Sequence, residues 1–245
     1  MRRILFRWRG FTVWSYPAML YVGMVAGVVA GNVAAHAARI DAFRTMIATY
    51  VLVVPALIGA RLLFVISNWA RYRRSLRLIW SRQEGGAAMY GALPLILVLS
   101  VPLLAVLHLP LGAFWDVMAF SILAGMFFTR IGCLMNGCCA GRRSGTWLAV
   151  PLPNCEGMWE RRIPSQCLEA GFAIVLLGAA TVAWRWLPFP GALFLCVAAV
   201  YAGGRLVLES VREVEPGGGR LTSHHVISMA MILLTLATLA VRWPK

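Results

Sequence analysis

Acidic residues are scarce in this 245-residue chain, which has only nine of them against 23 lysines and arginines. All charged residues together make up 13% of the chain, whereas hydrophobic residues make up 60%. A soluble domain could not bury that much apolar surface, so this composition excludes one and indicates an integral membrane protein. The net charge of +14 lies in short segments between apolar runs, and no aromatic and basic nucleic-acid module accompanies it. We therefore expect membrane lipids, and not nucleic acid, as partners.

The chain also lacks the short motifs of several enzyme classes. It has no GxGxxG or P-loop for a nucleotide and no histidine-rich or carboxylate-rich spacing for a metal, so we expect no cofactor. Its six cysteines include no CxxC pair, which argues against a membrane thiol oxidoreductase built on Cys133, Cys138 and Cys139. Cys138 and Cys155 could pair if oxidised. No internal repeat stands out, which disfavours a transporter with duplicated halves.

Seven apolar runs are long enough to cross a membrane core of roughly 30 Å, which takes about 20 helical residues. They do not alternate between polar and apolar residues, so they predict helices and not barrel strands. The predicted fold is an all-α polytopic membrane bundle in a single domain, 1–245, whose first run is a retained helix and not a cleaved signal peptide. The runs lie near residues 14–35, 46–68, 88–108, 114–130, 169–187, 190–208 and 223–241.

The longest interruption of the apolar pattern covers residues 137–168, between the fourth and fifth predicted helices. This segment is too polar to span a membrane, and its composition is not that of a linker. We expect a small extramembrane cap there. By the positive-inside rule alone, the arginine-rich segments would place the N terminus and the cap in the cytoplasm.

Arginines within or beside the apolar runs are candidate functional groups, because charge is costly at membrane depth. Arg130 ends the fourth run and leads into a glycine-rich segment, and Arg61 interrupts the second run, where it could instead extend to the interface. Arg205 and Glu209 are four residues apart, so a helix would place them on one face, where they can pair. Guanidinium groups suit phosphate. This set therefore indicates a site for a phosphorylated lipid.

Other polar residues each have a structural explanation beside the functional one. Tyr90 lies between glycines that permit close approach of a helix or a lipid head group, yet interfacial tyrosines are common, and Tyr16 is equally ambiguous. Gln166 and Glu169 lie where the cap re-enters the membrane, and Glu169 could simply interact with the helix dipole. Asp116 is expected to lie at the start of the fourth helix as a helix-start residue.

The polar segments occur in an order that resembles prolipoprotein diacylglyceryl transferases. They are SYPAMLYVG, GARLLFV, EGGAAMYGAL, RIGCLMNGCCAGR, RIPSQCLEA and YAGGRLVLESVRE, and they cover nearly the whole chain. The resemblance implies a seven-helix enzyme of the bacterial inner (cytoplasmic) membrane. Such an enzyme moves the diacylglyceryl group of phosphatidylglycerol onto the lipobox cysteine of a preprolipoprotein signal peptide and releases glycerol phosphate. The resemblance also implies a periplasmic active face, opposite to the arginine count, and we follow it on this point.

The resemblance assigns catalytic roles to Arg130, Arg205 and Glu209, and to Tyr90, which stands where the family usually has a histidine. Tyrosine has a pKa of about 10 and is a poorer base at neutral pH, so Tyr90 could instead orient substrate. The alternative is a divergent paralogue that binds phospholipid or uses another acceptor. The predicted substrate-binding residues are Tyr16, Arg61, Gly91, Asn136, Gly141, Gln166 and Glu169.

Overall fold

The computed structural model describes residues 3–73, 91–153, 158–211 and 223–243. The chain divides into two compact units: unit 1 comprises Met1–Ala34 and Trp115–Lys245, and unit 2 comprises Ala35–Phe114. Within the described ranges, six helices are long and apolar enough to cross a membrane, and one apolar helix is shorter. This confirms the predicted helical, multi-pass membrane architecture.

Each of the seven predicted runs corresponds to a helix, and two short strand pairs accompany them among the residues described. One further helix is a single turn. In chain order the elements are β1 (Ile4–Trp8), β2 (Phe11–Trp14), α1 (Ser15–Ala37), α2 (Ala42–Ser67), α3 (Trp69–Tyr72), α4 (Ala92–Val106), α5 (Leu111–Asn136), β3 (Val150–Pro153), β4 (Trp159–Arg162), α6 (Ser165–Ala183), α7 (Ala192–Glu209) and α8 (Ser223–Arg242), with a 3-10 turn at Trp184–Trp186.

In unit 2, α2 and the start of α4 approach closely through glycines. Asp41 caps α2, because its carboxylate accepts a hydrogen bond from the Arg44 N–H at 2.9 Å. Gly59 and Gly91 lie so close that a Cβ added to either would collide with the carbonyl oxygen of the other. Small residues of this kind let helix backbones approach within a membrane. At Gly91, the structure therefore has a close contact between α2 and the start of α4.

In unit 1, α1 packs against α5 through small residues. A Cβ added to Gly23 would lie 2.8 Å from the Gly125 oxygen, and one added to Gly27 would lie 2.8 Å from the Ser121 oxygen. A methyl group fits at neither position without a shift of the backbone. The contact fixes the beginning of α1, which carries Tyr16, beside the later turns of α5.

The end of α5 and the bounds of the cap differ from the prediction. The apolar run was expected to end at Arg130, but α5 continues to Asn136, because the residues after Arg130 still favour helix. Arg130 therefore lies inside a helix and not at its end. α6 begins at Ser165, so its first turn falls within residues 137–168, the segment predicted to form the cap. The same segment contains the antiparallel pair β3 and β4, and its extramembrane position stays a prediction.

The N-terminal hairpin of β1 and β2 was not predicted at all. Its turn consists of Arg9 and Gly10, which have φ angles of 44° and 85°. Two successive positive φ angles are typical of the tight turn that joins two antiparallel strands. The hairpin is attached to α5, because Arg3 Nε donates to the Asn136 carbonyl oxygen at 3.3 Å.

Asp116 has a different role from the one expected of it. Its carboxylate accepts hydrogen bonds from the N–H groups of Gly191 at 2.7 Å and Phe194 at 3.0 Å, at the beginning of α7. Asp116 is buried and lies inside α5, which begins at Leu111. It therefore caps α7 and not its own helix, since a carboxylate stabilises the exposed N–H groups of a first helical turn.

Candidate active site

Two arginines and two glutamates from three helices form a continuous chain of ion pairs in unit 1. Glu169 of α6 lies at its centre, with Oε2 2.6 Å from Arg130 Nη2 of α5 and Oε1 2.7 Å from Arg205 Nη1 of α7. Arg205 Nη2 is in turn 2.9 Å from Glu209 Oε2, which is the predicted pair four residues apart. We call these four residues the Arg–Glu cluster.

The Arg–Glu cluster is almost completely buried. The side chains of Glu169 and Arg205 are 3% and 5% exposed, and those of Arg130 and Glu209 are 10% and 11% exposed. Two positive and two negative charges balance, which offsets the loss of hydration. Removal of one member would leave a buried charge without compensation, which typically costs about 3–5 kcal/mol.

Close packing of α6 on α7 makes the cluster possible. Gly204 faces Phe172, and a Cβ on Gly204 would overlap the phenyl ring. Tyr201 stacks on the same ring, with centroids 6.2 Å apart. Because the residue next to Arg205 has no side chain, the two helices approach closely enough for Glu169 to reach the guanidinium group.

The loop after α5 is held by backbone contacts that require glycine at one position. The chain turns through Gly137 and Cys139, whose φ angles are 75° and 63°. Gly141 then donates its N–H to the Ile163 oxygen at 2.9 Å. A Cβ on Gly141 would lie 2.7 Å from the Val211 oxygen and 2.8 Å from the Ile163 oxygen. Gly141 is thus required where the loop, the cap and the end of α7 meet.

The first turn of α6 fixes the same loop through side chains. Gln166 Nε2 donates to the Cys138 oxygen at 2.6 Å, and Ser165 Oγ donates to the Cys139 oxygen at 2.7 Å. Gln166 is fully buried, and its Oε1 has no hydrogen-bond partner among the residues described; the same holds for Arg130 Nε. Buried polar atoms are normally paired. These two atoms therefore have hydrogen-bonding capacity that the described residues do not use.

Tyr16 and Asn136 lie beside this region. Tyr16 is half-buried at the start of α1, and a Cβ added to Gly132 of α5 would lie 3.4 Å from its ring. Tyr16 is close enough to Arg130 to interact with it electrostatically. Asn136 is the last residue of α5, less than two helical turns beyond Arg130. The structure therefore brings both residues near the Arg–Glu cluster.

Three cysteines also converge where α5 ends. The Sγ atoms of Cys133, Cys138 and Cys139 all lie within 4.8 Å of one another. A hydrogen bond with Cys133 lowers the pKa of the Cys138 thiol. A hydrogen bond with Cys139 and burial outweigh this effect, so the pKa lies above its ordinary value. The spacing C-x4-C-C across a helix end is the sequence signal for this convergence.

Three further predicted site residues lie outside unit 1 or outside the described residues. Tyr90 lies outside the described residues. Arg61 and Gly91 lie in unit 2, where the Arg61 guanidinium carbon is 5.6 Å from the ring centroids of both Phe64 and Tyr72. Such cation–π contacts stabilise a positive charge among apolar side chains. The substrate roles of Arg61 and Gly91 and the catalytic role of Tyr90 stay predictions.

A second group of charged residues, within the cap, was not predicted. Arg162 is buried, and its guanidinium group donates to Glu160 Oε2 at 2.8 and 3.0 Å and to the Gly141 oxygen at 3.3 Å. Glu160 Oε1 is also paired with Arg143 Nη2 at 2.5 Å. We call Arg143, Glu160 and Arg162 the cap cluster. Glu160 and Arg162 are two residues apart on β4, so they share one face of the strand.

Comparison with known proteins identifies the family. The family model for prolipoprotein diacylglyceryl transferase matches residues 3–241, which include the whole Arg–Glu cluster.

Three relatives are each named phosphatidylglycerol–prolipoprotein diacylglyceryl transferase. A protein of Dehalococcoides mccartyi is 27% identical over 207 residues, which cover 83% of this chain and 79% of the relative. One of Clostridium kluyveri is 24% identical over 243 residues, covering 97% and 95%. One of Rhizobium meliloti is 33% identical over 174 residues, covering 66% and 59%. Because the family model spans nearly the whole chain, this protein belongs to the prolipoprotein diacylglyceryl transferase family.

Proposed function

We propose that the protein transfers the diacylglyceryl group of phosphatidylglycerol to the lipobox cysteine of a preprolipoprotein and releases glycerol phosphate. The observation that carries the proposal is the buried Arg–Glu cluster, in which membrane helices hold two guanidinium groups around Glu169. The names of the relatives supply the two substrates. The bacterial inner membrane, with a periplasmic active face, is the location that the family resemblance implies.

The phosphodiester group of phosphatidylglycerol is the part of the donor that the cluster would bind. Arg130 Nε is a buried donor without a partner among the described residues, so a phosphate oxygen can accept from it without displacing Glu169. Hydrogen bonds between guanidinium and phosphate are strong, above all where water is excluded. Glu169 and Glu209 then act as positioning residues that fix the two guanidinium groups.

Transfer requires charge stabilisation at this same place. The acceptor sulfur forms a bond to the terminal glyceryl carbon while the bond from that carbon to the phosphate oxygen breaks. The bonding electron pair leaves with glycerol phosphate, and the proton lost by the acceptor thiol balances the added charge. Arg130 and Arg205 would stabilise the departing phosphate, and preorganised groups of this kind contribute strongly to catalysis.

Gln166 and Tyr16 are the polar residues best placed to contact the rest of the donor. Gln166 Oε1 is a buried acceptor without a partner among the described residues, so it can accept a hydrogen bond from a hydroxyl of the glycerol head group. Tyr16 is half-buried and close to Arg130, and its hydroxyl can donate to phosphate. Both residues therefore belong to the proposed head-group site.

The proposal is tested with the purified protein. The assay measures transfer of a radiolabelled diacylglyceryl group from phosphatidylglycerol to a lipobox peptide. Arg130→Gln should lower the rate at least about a hundredfold, as expected on loss of a group that stabilises developing charge. Arg185→Gln is the matched control, because Arg185 is exposed in the turn beyond the far end of α6, and it should leave the rate unchanged. Bound phosphatidylglycerol without any transfer by the folded wild-type protein would overturn the proposal in favour of the lipid-binding paralogue.

A further inference from the structure

We propose that Cys133, Cys138 and Cys139 bind a thiophilic divalent metal ion, Zn²⁺, and leave one coordination position open for the acceptor thiol. The metal site follows from the cysteine geometry alone. The role of its open position rests on the proposed transferase function.

The three sulfur atoms are already close to the arrangement that zinc needs. All lie within 4.8 Å of one another. Bonds from zinc to thiolate sulfur of about 2.3 Å in tetrahedral geometry place the sulfurs roughly 3.8 Å apart. The difference of about 1 Å is within reach of rotation about the cysteine side-chain bonds, without movement of α5.

The backbone of the loop holds its two cysteines in place. Cys139 has a positive φ of 63°, which is uncommon for a residue with a side chain and persists only where the surroundings enforce it. The carbonyl groups of Cys138 and Cys139 accept hydrogen bonds from the buried side chains of Gln166 and Ser165. The backbones of Cys138 and Cys139 are thereby held beside Cys133, and their thiols can still rotate toward a metal ion.

The electrostatic surroundings favour a divalent ion. Thiolate ligands select zinc or monovalent copper over magnesium and calcium. Three thiolates with Zn²⁺ carry one net negative charge, whereas with monovalent copper they carry two. Arg130 lies one helical turn before Cys133 and interacts electrostatically with Cys133 and Cys139. Because the Arg–Glu cluster has no net positive charge to compensate two negative charges, the smaller net charge of the zinc site is favoured.

Three protein ligands and one open position are typical of catalytic zinc sites. A thiol that binds there loses its proton to solvent, because the metal binds the thiolate. In the transfer step the sulfur–carbon bond forms, the carbon–oxygen bond breaks, and the electron pair leaves on glycerol phosphate. The thioether product is a weak ligand and dissociates. Zinc would thus favour deprotonation of the acceptor thiol next to the Arg–Glu cluster.

Metal content of the purified full-length protein tests the site without reference to activity. After equilibration with buffered Zn²⁺, mass spectrometry should find one zinc per chain in the wild type and none in Cys133→Ser/Cys138→Ser/Cys139→Ser. The matched control, Cys155→Ser/Cys167→Ser/Cys196→Ser, keeps only the three cluster thiols and should retain one zinc. Absence of zinc from the wild type, equal zinc in both triple variants, or uptake of monovalent copper alone would overturn the site.

Two further measurements need no variant that could fail to fold. Zn²⁺ should protect three thiols of the wild-type protein from alkylation by a maleimide. Unchanged labelling contradicts the site.

The second measurement tests the open position. With Co²⁺ in place of zinc, a lipobox peptide should strengthen the thiolate-to-cobalt absorption band, whereas the peptide with serine in place of cysteine should not. An unchanged band overturns the role of the open position. Transfer by zinc-free protein contradicts this inference alone, and zinc binding without transfer contradicts the proposed function alone.

Discussion

The Arg–Glu cluster and the cap cluster are built from the same chemical groups, each with a glutamate between two arginines. They differ in how the chain assembles them. In the cap, Glu160 and Arg162 are neighbours on one strand, and Arg143 is 65% exposed. In the membrane helices, Glu169 joins arginines of two other helices, and all four side chains are at most 11% exposed. Local chain geometry is enough for the Glu160–Arg162 pair of the cap cluster, whereas the Arg–Glu cluster exists only when three helices are packed.

The largest expected effect is that of Glu169→Gln, which removes the carboxylate between two buried guanidinium groups. We expect a loss of about 3–5 kcal/mol of unfolding free energy, measured by thermal unfolding in detergent, and loss of transfer. Glu160→Gln is the matched change in the cap cluster, and it should leave transfer unchanged. Equal loss of transfer in both variants would remove the distinction between the clusters.

Arg205→Lys is expected to have the next largest effect. Lysine keeps the charge but lacks the planar fork by which Arg205 contacts Glu169 and Glu209 at once. The transfer rate should fall roughly 10- to 100-fold, which corresponds to about 1.4–2.7 kcal/mol of transition-state stabilisation, as for loss of a charge-assisted hydrogen bond. Arg143→Lys makes the same change at the exposed arginine of the cap cluster and should not alter the rate. A fully active Arg205→Lys enzyme would show that charge alone is sufficient.

Gly204→Ala tests whether helix packing assembles the Arg–Glu cluster. The added methyl group would meet the Phe172 ring and should separate α6 from α7, with a loss of about 1–3 kcal/mol, as for an overpacked core. The double variant Gly204→Ala/Phe172→Leu provides space and should recover transfer and stability. Gly203→Ala is the control, because a Cβ there meets nothing within 4 Å. Equal effects of the two single variants would contradict the packing argument.

The smallest effect is expected for Arg143→Ala. This arginine is 65% exposed, and exposed ion pairs contribute roughly 0–1 kcal/mol because water screens them. The unfolding midpoint should shift little, and that shift should vanish at high salt. A large loss of transfer would instead give the cap cluster a part in catalysis.

The sequence was sufficient for features that depend on local spacing. The seven helices follow from apolar runs, and the Arg205–Glu209 pair follows from the helical repeat. It was not sufficient for Glu169, which was considered for substrate binding and the helix dipole but not as a partner of Arg205, 36 residues away. The same limit applies to Asp116, whose partners are in α7. Contacts between distant segments depend on packing, which periodicity does not reveal.

The hydrogen bonds that join the N terminus of α7 to Asp116 also restrict how the Arg–Glu cluster can respond to substrate. Along α5, Asp116 and Arg130 are separated by roughly 20 Å of helix, and along α7 the capped first turn and Arg205 are separated by nearly the same length. α5 and α7 are therefore linked at two levels, directly at Asp116 and through Glu169 of α6 at Arg130 and Arg205. Sliding of α5 along α7 would break the direct link and strain the one through Glu169. We therefore expect phosphate binding to be accommodated by rotation of the arginine side chains, because movement of α6 would carry Glu169 away from both arginines.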